Sequence, residues 1–520
     1  MPFCYTKFMK FHLFIVLASL LLLSACKQNA SPPTEAKPPE VVELQSGQTF
    51  PLEAGFVQKD ILGKKLRMLA YNGSIPGNIL KVKQGSEITV ELKNNTDTPT
   101  SLHSHGVRLD NAFDGTPPMT QKEIKPGGSF TYRIKFPDEG MYWYHPHVRE
   151  DYAQEMGLYG NFWVVGDAKN WNRVNREVPL FVDDILLGQK GIAAFDENFS
   201  SHALMGRFGN IMLLNGEADY SLTVKSGEII RFFVTNAANT RTFNLKIPGV
   251  RLKWVGGDSG RAENEEWVES LLLGPSERGI VEALFEKPGD YSILHQTPDK
   301  DYAMGLVIVT EEAVSPSYAS DFEKLHGSED IRLQMKQIRV AALAAPLKKI
   351  KLDLPAPEMA GGMGEGQHMM HGGQMMNDSM MPEGDDSGPI EWEDTMAMMN
   401  AMSNSKAVKW KLVDDETKLE NMKIDWKFKV GDKIRVEIFN DPKSFHPMQH
   451  PIHFHGQRFV VLSRDGIANS NLAWKDTVLV GKGERVEILL DVTNPGEWMA
   501  HCHIPEHMES GMMMAFEVQS

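Results

Sequence analysis

Two patterns of alternating apolar and polar residues recur three times along the chain. The first occupies residues 79–95, 222–238 and 426–441, and in each copy two alternating runs flank a glycine. Alternation with a period of two is typical of strands that bury one face, and a glycine between two such runs favours a tight turn. Each copy therefore predicts a strand, a turn and a second strand.

The second pattern follows each copy of the first, at residues 124–147, 271–296 and 478–503. Two patterns in the same order predict three domains of one kind, and 520 residues are enough for about three domains. Short strands with Gly and Pro turns are typical of Greek-key β-sandwiches, so the predicted fold class is all-β. We place the three consecutive sandwiches at residues 45–167, 175–312 and 405–520.

The N-terminus is predicted to be an export signal, at residues 1–25. Lys7 and Lys10 precede an apolar run at residues 11–23, which is too short to span a bilayer as a mature helix. The run leads into Leu-Ser-Ala-Cys, which ends at Cys26 and resembles a bacterial lipobox. The resemblance implies that the chain is cleaved before Cys26 and that this cysteine is acylated.

A lipid on Cys26 would anchor the protein, and the polar, Pro-rich residues 26–44 are suited to act as a tether. Lys27 rather than Asp follows the cysteine, which in Gram-negative lipoproteins favours the outer membrane. We therefore expect an exported protein, anchored in the bacterial cell envelope at the periplasmic face of the outer membrane. Because Cys4 leaves with the signal and Cys26 carries the lipid, Cys502 is the one free cysteine that remains, and we expect no internal disulfide.

Charge and composition narrow the possible functions. The formal net charge of -15 argues against nucleic-acid binding, because a phosphate-binding surface needs clustered Lys and Arg.

Residues 313–404 are predicted to link the second and third sandwiches. Within them, residues 359–402 hold 12 of the 29 methionines, interleaved with Gly and Asp and without the periodicity of a core element.

Ten of the 17 histidines fall into four short motifs, HSHG, WYHPH, HPIHFH and HCHIPEH. Two motifs lie in the predicted first sandwich and two at the equivalent points of the third, where the second sandwich has NLKIPG and YSILHQ. Because residues i and i+2 share one face of a strand, each motif can present two imidazoles to one metal centre. These pairs are His103 and His105, His145 and His147, His453 and His455, and His501 and His503.

Cys502 lies between two histidines of the last motif, so on a strand its side chain points to the opposite face. We therefore expect it to bind a different metal. A thiolate with two imidazoles and a distant thioether is the donor set of a blue-copper site, which Cys502, His507, Met512 and His450 can supply. Zinc also accepts Cys and His, but a structural zinc site rarely has a Met ligand.

The four motifs, in this order and with these spacings, resemble those of the multicopper oxidases, the family that includes laccases and bacterial cuprous oxidases. The resemblance covers essentially the whole mature chain. It implies three cupredoxin domains, a trinuclear copper cluster between the first and the third, and a second domain that acts as a copper-free spacer. It also implies one-electron oxidation of a substrate at type-1 copper and reduction of O2 to two waters at the cluster.

Matched motif by motif, the resemblance implies ligands for four copper ions, one of type 1, one of type 2 and two of type 3. The type-2 ligands are His103 and His453. One type-3 copper takes His105, His145 and His503, and the other takes His147, His455 and His501. The type-1 ligands are Cys502, His450, His507 and Met512.

Reducing O2 to water consumes four protons, so acids near the cluster are candidates for catalysis. Asp114 matches by position an aspartate that is implicated in proton delivery in the family, although an Asp before Gly is also a common turn residue. Many relatives have an acid directly after the last histidine, where this chain has Met508. Glu506 and Glu509 lie beside that position, and Glu506 is our candidate for the missing acid.

Methionine thioethers are soft ligands suited to Cu(I). The 359–402 insert resembles the Met-rich segment of bacterial cuprous oxidases, and Met448 lies two residues before His450. These features predict a cuprous oxidase that serves copper tolerance and uses Cu(I) and O2 as substrates. The candidate residues for Cu(I) are Met448, Met369, Met370, Met375, Met376, His368 and His371.

Three alternatives stay open at this point. A laccase-like oxidase of phenols, aromatic amines or Mn(II) would share every copper ligand. A copper-sequestering surface protein without activity is a second alternative, although storage does not require this ligand geometry. The third alternative is that the insert is a flexible linker whose methionines only resist or absorb oxidants. A two-domain copper nitrite reductase is disfavoured, because His501 and His503 imply a type-3 pair.

Overall fold

The computed structural model describes residues 33–356 and 388–520, together with the backbone of the strands Gln367–Met369 and Met375–Asn377. The predicted signal and Cys26 lie outside this part of the chain. Of the candidate residues for Cu(I), only Met448 has a described side chain; Met369, Met370, Met375, Met376, His368 and His371 do not. Among the described helices, none has both the length and the apolar character that a membrane span requires.

The first sandwich packs a five-stranded sheet, in the order β1-β4-β9-β8-β6, against a four-stranded sheet, in the order β3-β2-β5-β7. Both sheets bury alternate side chains in a shared apolar core that includes Leu52, Val90 and Phe162. Its strands are β1 (Val41–Glu43), β2 (Thr49–Ile61), β3 (Lys64–Tyr71), β4 (Ile79–Lys83), β5 (Glu87–Asn94), β6 (His103–His105), β7 (Ser129–Lys135), β8 (Gly140–His145) and β9 (Gly160–Val165).

The second sandwich has a six-stranded sheet, β13-β10-β15-β20-β17-β18, and a five-stranded sheet, β14-β22-β21-β16-β19. A separate small ladder joins β11 to β12. The strands are β10 (Arg176–Ile185), β11 (Leu187–Gly188), β12 (Gly191–Ile192), β13 (Ile211–Leu214), β14 (Tyr220–Ser226), β15 (Glu228–Asn236), β16 (Phe243–Lys246), β17 (Leu252–Gly257), β18 (Gly260–Val268), β19 (Leu271–Leu273), β20 (Arg278–Phe285), β21 (Gly289–Gln296) and β22 (Asp301–Ala313).

The third sandwich repeats this plan, with sheets β26-β23-β28-β33-β30-β31 and β27-β35-β34-β29-β32. A hairpin of β24 and β25 lies between its first two strands in the chain. The strands are β23 (Leu347–Asp353), β24 (Gln367–Met369), β25 (Met375–Asn377), β26 (Lys411–Asp414), β27 (Trp426–Lys429), β28 (Lys433–Asn440), β29 (His450–Phe454), β30 (Arg458–Arg464), β31 (Ile467–Ala468), β32 (Thr477–Val480), β33 (Arg485–Asp491), β34 (Gly496–Cys502) and β35 (Met513–Gln519). The predicted all-β fold class, with three sandwiches in sequence, is confirmed.

Each copy of the first sequence pattern forms two strands, as predicted, but the two strands belong to opposite sheets of their sandwich. The glycine between them therefore carries the chain across the sandwich and does not close a hairpin. Gly85, Gly227 and Gly431 occupy these turns with φ of 84°, 79° and 101°. A side chain is disfavoured in this left-handed region, which explains why the pattern contains glycine.

The third sandwich extends further back along the chain than residue 405, the boundary that the sequence pattern predicts. β23 pairs in parallel with β28 and antiparallel with β26, and its Ile350 and Leu352 are buried in the third core. The Met-rich insert therefore separates β23 from the rest of this sandwich along the chain. For this reason a search for sequence repeats does not detect β23. The rest of the predicted linker contains the helices Ala319–Phe322 and Glu329–Ala342, and the helix Ala397–Met402 forms the C-terminal end of the insert.

Candidate metal centres

Strand register brings the histidine motifs together. In the first sandwich β6 pairs with β8, which places His103 opposite His145; in the third, β29 pairs with β34, which places His453 opposite His501. Only the HSHG pair lies entirely within a strand. In the other three pairs the second histidine lies beyond the end of the strand: His455 and His503 come directly after it, and His147 comes two residues after it.

Eight histidines from the first and third sandwiches meet in one buried cluster. The rings of His105 and His453 stack with centroids 3.7 Å apart, and those of His103 and His455 lie 4.0 Å apart. All eight side chains are at most 7% exposed. The cluster therefore lies between two sandwiches, each of which supplies half of it.

The ligand sets predicted for the two type-3 coppers are each brought together. The rings of His147, His455 and His501 are 5.1–5.2 Å apart, and the Nε2 atoms of His455 and His501 are separated by 3.0 Å. The rings of His105, His145 and His503 are 4.9–5.8 Å apart.

The predicted type-2 pair, His103 and His453, lies between these sets, with ring centroids 5.9 Å apart. Ring nitrogens of His103, His105 and His145 also lie within 4.8 Å of one another. The eight imidazoles therefore form one continuous centre and not three separate sites.

The nitrogen atoms of this cluster fit a group of metal ions. Within the described part of the chain, many of its buried ring nitrogens have no hydrogen-bond partner, an arrangement that is costly unless they bind a metal. These atoms are Nε2 of His103, His145, His147 and His453, Nδ1 of His105, and both ring nitrogens of His503.

Backbone carbonyls fix the orientation of four of the rings. Nδ1 of His103 and of His453 each donate to a carbonyl oxygen at 2.8 Å, on Asp114 and Asp476 respectively. His145 and His501 do the same, to Pro146 at 2.9 Å and Cys502 at 2.8 Å. With hydrogen on Nδ1, the Nε2 lone pair is left free for a metal, which is the usual outer-shell arrangement for metal-binding histidines.

Burial and the neighbouring imidazoles keep seven of the eight rings neutral, the form that binds a metal. Burial is the larger cause, and the nearby histidines lower the pKa further. The pKa of His455 falls to about 4 through burial and His103, although Asp114 opposes the shift. The pKa lies well below its usual value at His105, His145, His147, His453, His501 and His503.

A second centre lies within the third sandwich. Cys502 Sγ is 3.5 Å from Nδ1 of His450 and 3.8 Å from Nδ1 of His507, and the two Nδ1 atoms are 3.2 Å apart. Met512 is fully buried in the same core as Cys502, and its carbonyl accepts from the backbone N–H of Cys502 at 3.0 Å. The structure thus places together a thiol and two imidazoles, with a methionine in the same core, which are the residue types that form a blue copper site.

The two centres share a short stretch of backbone. His501 and His503 face the cluster while Cys502 between them is buried in the core of the third sandwich. The carbonyl of Cys502 also accepts the hydrogen bond from His501 Nδ1. A covalent path and a hydrogen bond therefore join the thiol to the histidine cluster.

Asp114 lies directly against the cluster and is 1% exposed. Its Oδ2 accepts from Thr116 Oγ1 at 2.6 Å and is 3.0 Å from Nδ1 of His455. Burial raises the pKa of this carboxyl, but His455 and His103 lower it by more, so the pKa lies well below its usual value. Asp114 is therefore an ionised hydrogen-bond acceptor at the edge of the cluster.

Glu506 is fully buried, but its carboxylate oxygens lie 3.3 Å from Asn239 Nδ2 and 3.5 Å from Thr240 Oγ1, both in the second sandwich. Burial raises its pKa to about 8. Its role as the missing acid stays a prediction.

Sequence reasoning missed Glu150, whose side chain is fully buried with Oε1 3.3 Å from Nε2 of His147. Glu150 comes three residues after the end of the WYHPH motif, and this spacing was the signal that could have identified it as a neighbour of His147. Sequence reasoning also missed Asp476 and Thr477, which contact His105 from a strand without any motif.

Models of the multicopper oxidase family match residues 56–169 and 392–520, the two regions that carry all of these ligand candidates. The chain belongs to the multicopper oxidase family. A multicopper oxidase from Staphylococcus aureus is 27% identical over 462 residues, which cover 86% of this chain and 83% of the relative. Copper resistance protein A from Pseudomonas syringae pv. tomato is 24% identical over an alignment of 599 positions. The alignment covers 94% of this chain and 95% of the relative.

Solved structures of multicopper oxidases share the fold. A laccase-like multicopper oxidase from Ochrobactrum sp. superimposes with a TM-score of 0.68 at 22% identity, covering 93% of this chain and 100% of the other. A metallo-oxidase from Campylobacter jejuni gives a TM-score of 0.66 at 23% identity, covering 95% and 98%. Membership of the family confirms that this multicopper oxidase is a copper-dependent oxidoreductase with O2 as the acceptor, and that its cofactors are type-1, type-2 and type-3 copper.

Proposed function

We propose that this multicopper oxidase is a cuprous oxidase in copper tolerance. Four Cu(I) ions each lose one electron, and one O2 takes up the four electrons and four protons to give two waters. The observation that carries the proposal is a series of methionines that leads from the surface to the core around Cys502. The name of the Pseudomonas relative, copper resistance protein A, supports the same role.

In this proposal the resident copper ions occupy the two centres described above. Copper bound there would supply one-electron chemistry beside Cys502 and would allow O2 to be reduced at the histidine cluster. The type-1 ligands are Cys502, His450, His507 and Met512. The type-2 ligands are His103 and His453, and the two type-3 sets are His105, His145 and His503, and His147, His455 and His501.

The methionine series begins in the helix at the C-terminal end of the insert. Met398 and Met402 are 72% and 54% exposed, whereas Met396 and Met399 are partly buried and pack against the core that contains Cys502. Met448 is fully buried in that same core, two residues before His450. Thioethers are soft ligands for Cu(I), so this series supports binding of the ion next to the proposed electron entry point.

Buried polar contacts hold this helix in place. The side chain of Asn400 is fully buried, accepts from the backbone N–H of Met205 at 3.0 Å, and donates to the carbonyl of Gly206 at 2.8 Å. Gln449 exchanges two hydrogen bonds with the backbone of Glu391, at 2.7 and 3.0 Å. A deletion that tests the insert should therefore end before residue 388, so that these contacts survive.

Deletion of residues 359–387 is expected to lower the rate of Cu(I) oxidation about tenfold, while oxidation of a simple phenol changes by less than about twofold. The reason is that the insert supplies thioethers for Cu(I), which a phenol does not need. Oxygen consumption by the copper-loaded enzyme measures both rates. The matched control keeps the length of residues 359–387 but replaces the methionines and histidines within them with glutamine, and it should behave like the deletion. Equal loss of both activities would contradict the proposal.

Replacement of Met448 by leucine tests the buried end of the series. We expect Cu(I) oxidation to fall about tenfold, with little change in stability, because Leu and Met have similar volumes and such exchanges usually cost less than about 1.5 kcal/mol. The visible absorption of the type-1 site checks that the centre is intact. Met514→Leu, in the same core, is the control and should leave the rate unchanged. A normal Cu(I) rate in Met448→Leu would show that this thioether does not serve the substrate.

Oxidation of aromatic compounds is a second candidate function, and one cavity favours it. The cavity has a volume of about 960 Å3 and is lined by Phe195, Phe199, Phe208 and Tyr302 among other residues. The neighbouring residues Ala203 and Leu204 pack into the core around Cys502, and Trp410, whose ring lies 4.3 Å from that of His507, donates to the carbonyl of Ala203 at 2.8 Å. The relative rates for Cu(I) and the phenol distinguish the two functions.

A further inference from the structure

The second sandwich reaches the histidine cluster through a buried ion pair. Arg278 in β20 and Asp476 directly before β32 are both fully buried. Arg278 Nη1 donates to Asp476 Oδ1 at 2.8 Å, and Nη2 donates to Oδ2. This bidentate geometry fixes the carboxylate, because both of its oxygens are held by one rigid guanidinium.

The fixed carboxylate contacts His105. Asp476 Oδ1 is 3.0 Å from Nε2 of His105, and Thr477 Oγ1 is 3.1 Å from the same nitrogen. An ionised carboxylate only accepts hydrogen bonds, so Nε2 of His105 carries the hydrogen. Nδ1 of His105 is buried without a partner among the described residues, and its lone pair is left for a metal. This tautomer is opposite to that of His103 and His453, whose Nδ1 atoms donate to carbonyls.

All three sandwiches meet at this ion pair. Arg278 Nε donates to the carbonyl of Met141 in the first sandwich at 2.9 Å. Its backbone N–H donates to Asp258 at 2.8 Å, and Asp258 also accepts from the backbone N–H of Asp476 at 3.2 Å. The second sandwich therefore supplies both the guanidinium that orients Asp476 and a carboxylate that holds its backbone.

The same contact explains the glycine in the HSHG motif. Gly106 follows His105 with φ of 79°, and a Cβ there would lie 2.2 Å from Asp476 Oδ2 and 2.9 Å from Arg278 Nη2. Such distances leave no room for a side chain. The motif thus ends in glycine so that the ion pair can approach His105.

We propose that Arg278 and Asp476 are positioning residues for the trinuclear site, which set the tautomer and orientation of His105. The copper-free second sandwich is then part of the copper-binding machinery and not only a spacer. This inference rests on the proposed assignment of His105 to a type-3 copper. Contacts of this kind around a metal-binding histidine typically change metal affinity about 10- to 100-fold when they are removed.

Arg278→Met is the test, measured on the full chain reconstituted with copper. We expect the affinity of the cluster for copper to fall about 10- to 100-fold, with loss of the near-ultraviolet type-3 absorption, while the blue absorption of the type-1 site is retained. Arg278→Lys keeps a cation and should recover part of the near-ultraviolet band. The control is Arg231→Met, which breaks a comparably buried pair with Glu282 in the same sandwich, at 2.7 Å, away from the histidines.

The contrast between the two absorption bands separates positioning from general destabilisation. Full cluster affinity and an intact near-ultraviolet band in Arg278→Met would overturn the proposal. So would equal loss of both bands in the Arg278 and Arg231 variants. Should Arg278→Met fail to fold, Asp476→Asn is measured in the same way and judged by the same criteria. A wild-type enzyme without a near-ultraviolet band would instead refute the assignment of the cluster itself.

Discussion

Replacing Cys502 with serine is expected to abolish the blue colour and to lower oxygen consumption with every reductant by at least about 1,000-fold, which corresponds to ~4 kcal/mol of activation free energy. The thiol is the point on which the Nδ1 atoms of His450 and His507 converge, at 3.5 and 3.8 Å. A serine hydroxyl is a hard, weakly acidic donor and does not replace a thiolate as a ligand for this type of copper. Visible absorption and copper content per chain measure the effect.

The histidine cluster should survive the Cys502→Ser change. Its eight imidazoles come from other residues, and Cys502 is buried in the core on the other side of its strand. The variant should therefore bind three coppers and keep the near-ultraviolet band. Retention of four coppers, or of more than about one tenth of the activity, would contradict the assignment of Cys502 as a type-1 ligand.

Asp114→Asn is expected to slow the oxygen half-reaction about 100-fold without affecting the type-1 site, as is typical when a group that handles protons is removed. Asp114 is the carboxylate in contact with His455, and it also lies 3.4 Å from Nδ1 of His103. Its pKa lies well below the usual value because the neighbouring histidines outweigh burial, so the wild-type group is available as a proton acceptor. Asparagine keeps the shape and removes this capacity.

Separate half-reactions locate the defect. Without oxygen, the blue band of Asp114→Asn should bleach with Cu(I) at the wild-type rate, and reoxidation by O2 should be slow. Asp110→Asn is the control, since Asp110 lies on the same loop, is exposed, and its side chain accepts from the backbone N–H of Ala112. Slow bleaching with normal reoxidation would show that Asp114 acts in the oxidation of Cu(I) and not in the reduction of O2.

The sequence predicts the fold well because every sandwich repeats the same local pattern. Period-two alternation in β5 and β28 corresponds to fully buried side chains that alternate with half-buried or exposed ones. The start of the third sandwich could not be found in this way. β23 pairs with β28, although more than 70 residues, including the insert, lie between the two strands in the chain. A local sequence pattern gives no information about a partner strand at that distance.

The histidine ligands are predictable for a similar reason, since i, i+2 spacing on strands is a local property. The contacts that orient them are not. Asp476 and Arg278 are almost 200 residues apart in the chain and belong to different sandwiches, and neither lies in a recognisable motif. Glu150 illustrates part of the same limit: its spacing of three residues from the WYHPH motif is a local signal, but that spacing does not show that its carboxylate is buried beside His147.

The ratio of Cu(I) oxidised to O2 consumed tests the central claim most directly. If electrons pass from Cu(I) at the type-1 site to O2 at the eight-histidine cluster, the enzyme should consume one O2 for every four Cu(I), with no hydrogen peroxide formed. Purified enzyme, a Cu(I) solution without enzyme as the blank, and a peroxide assay are sufficient. A ratio of two Cu(I) per O2 with accumulation of peroxide, or oxygen uptake no faster than the blank, would contradict it.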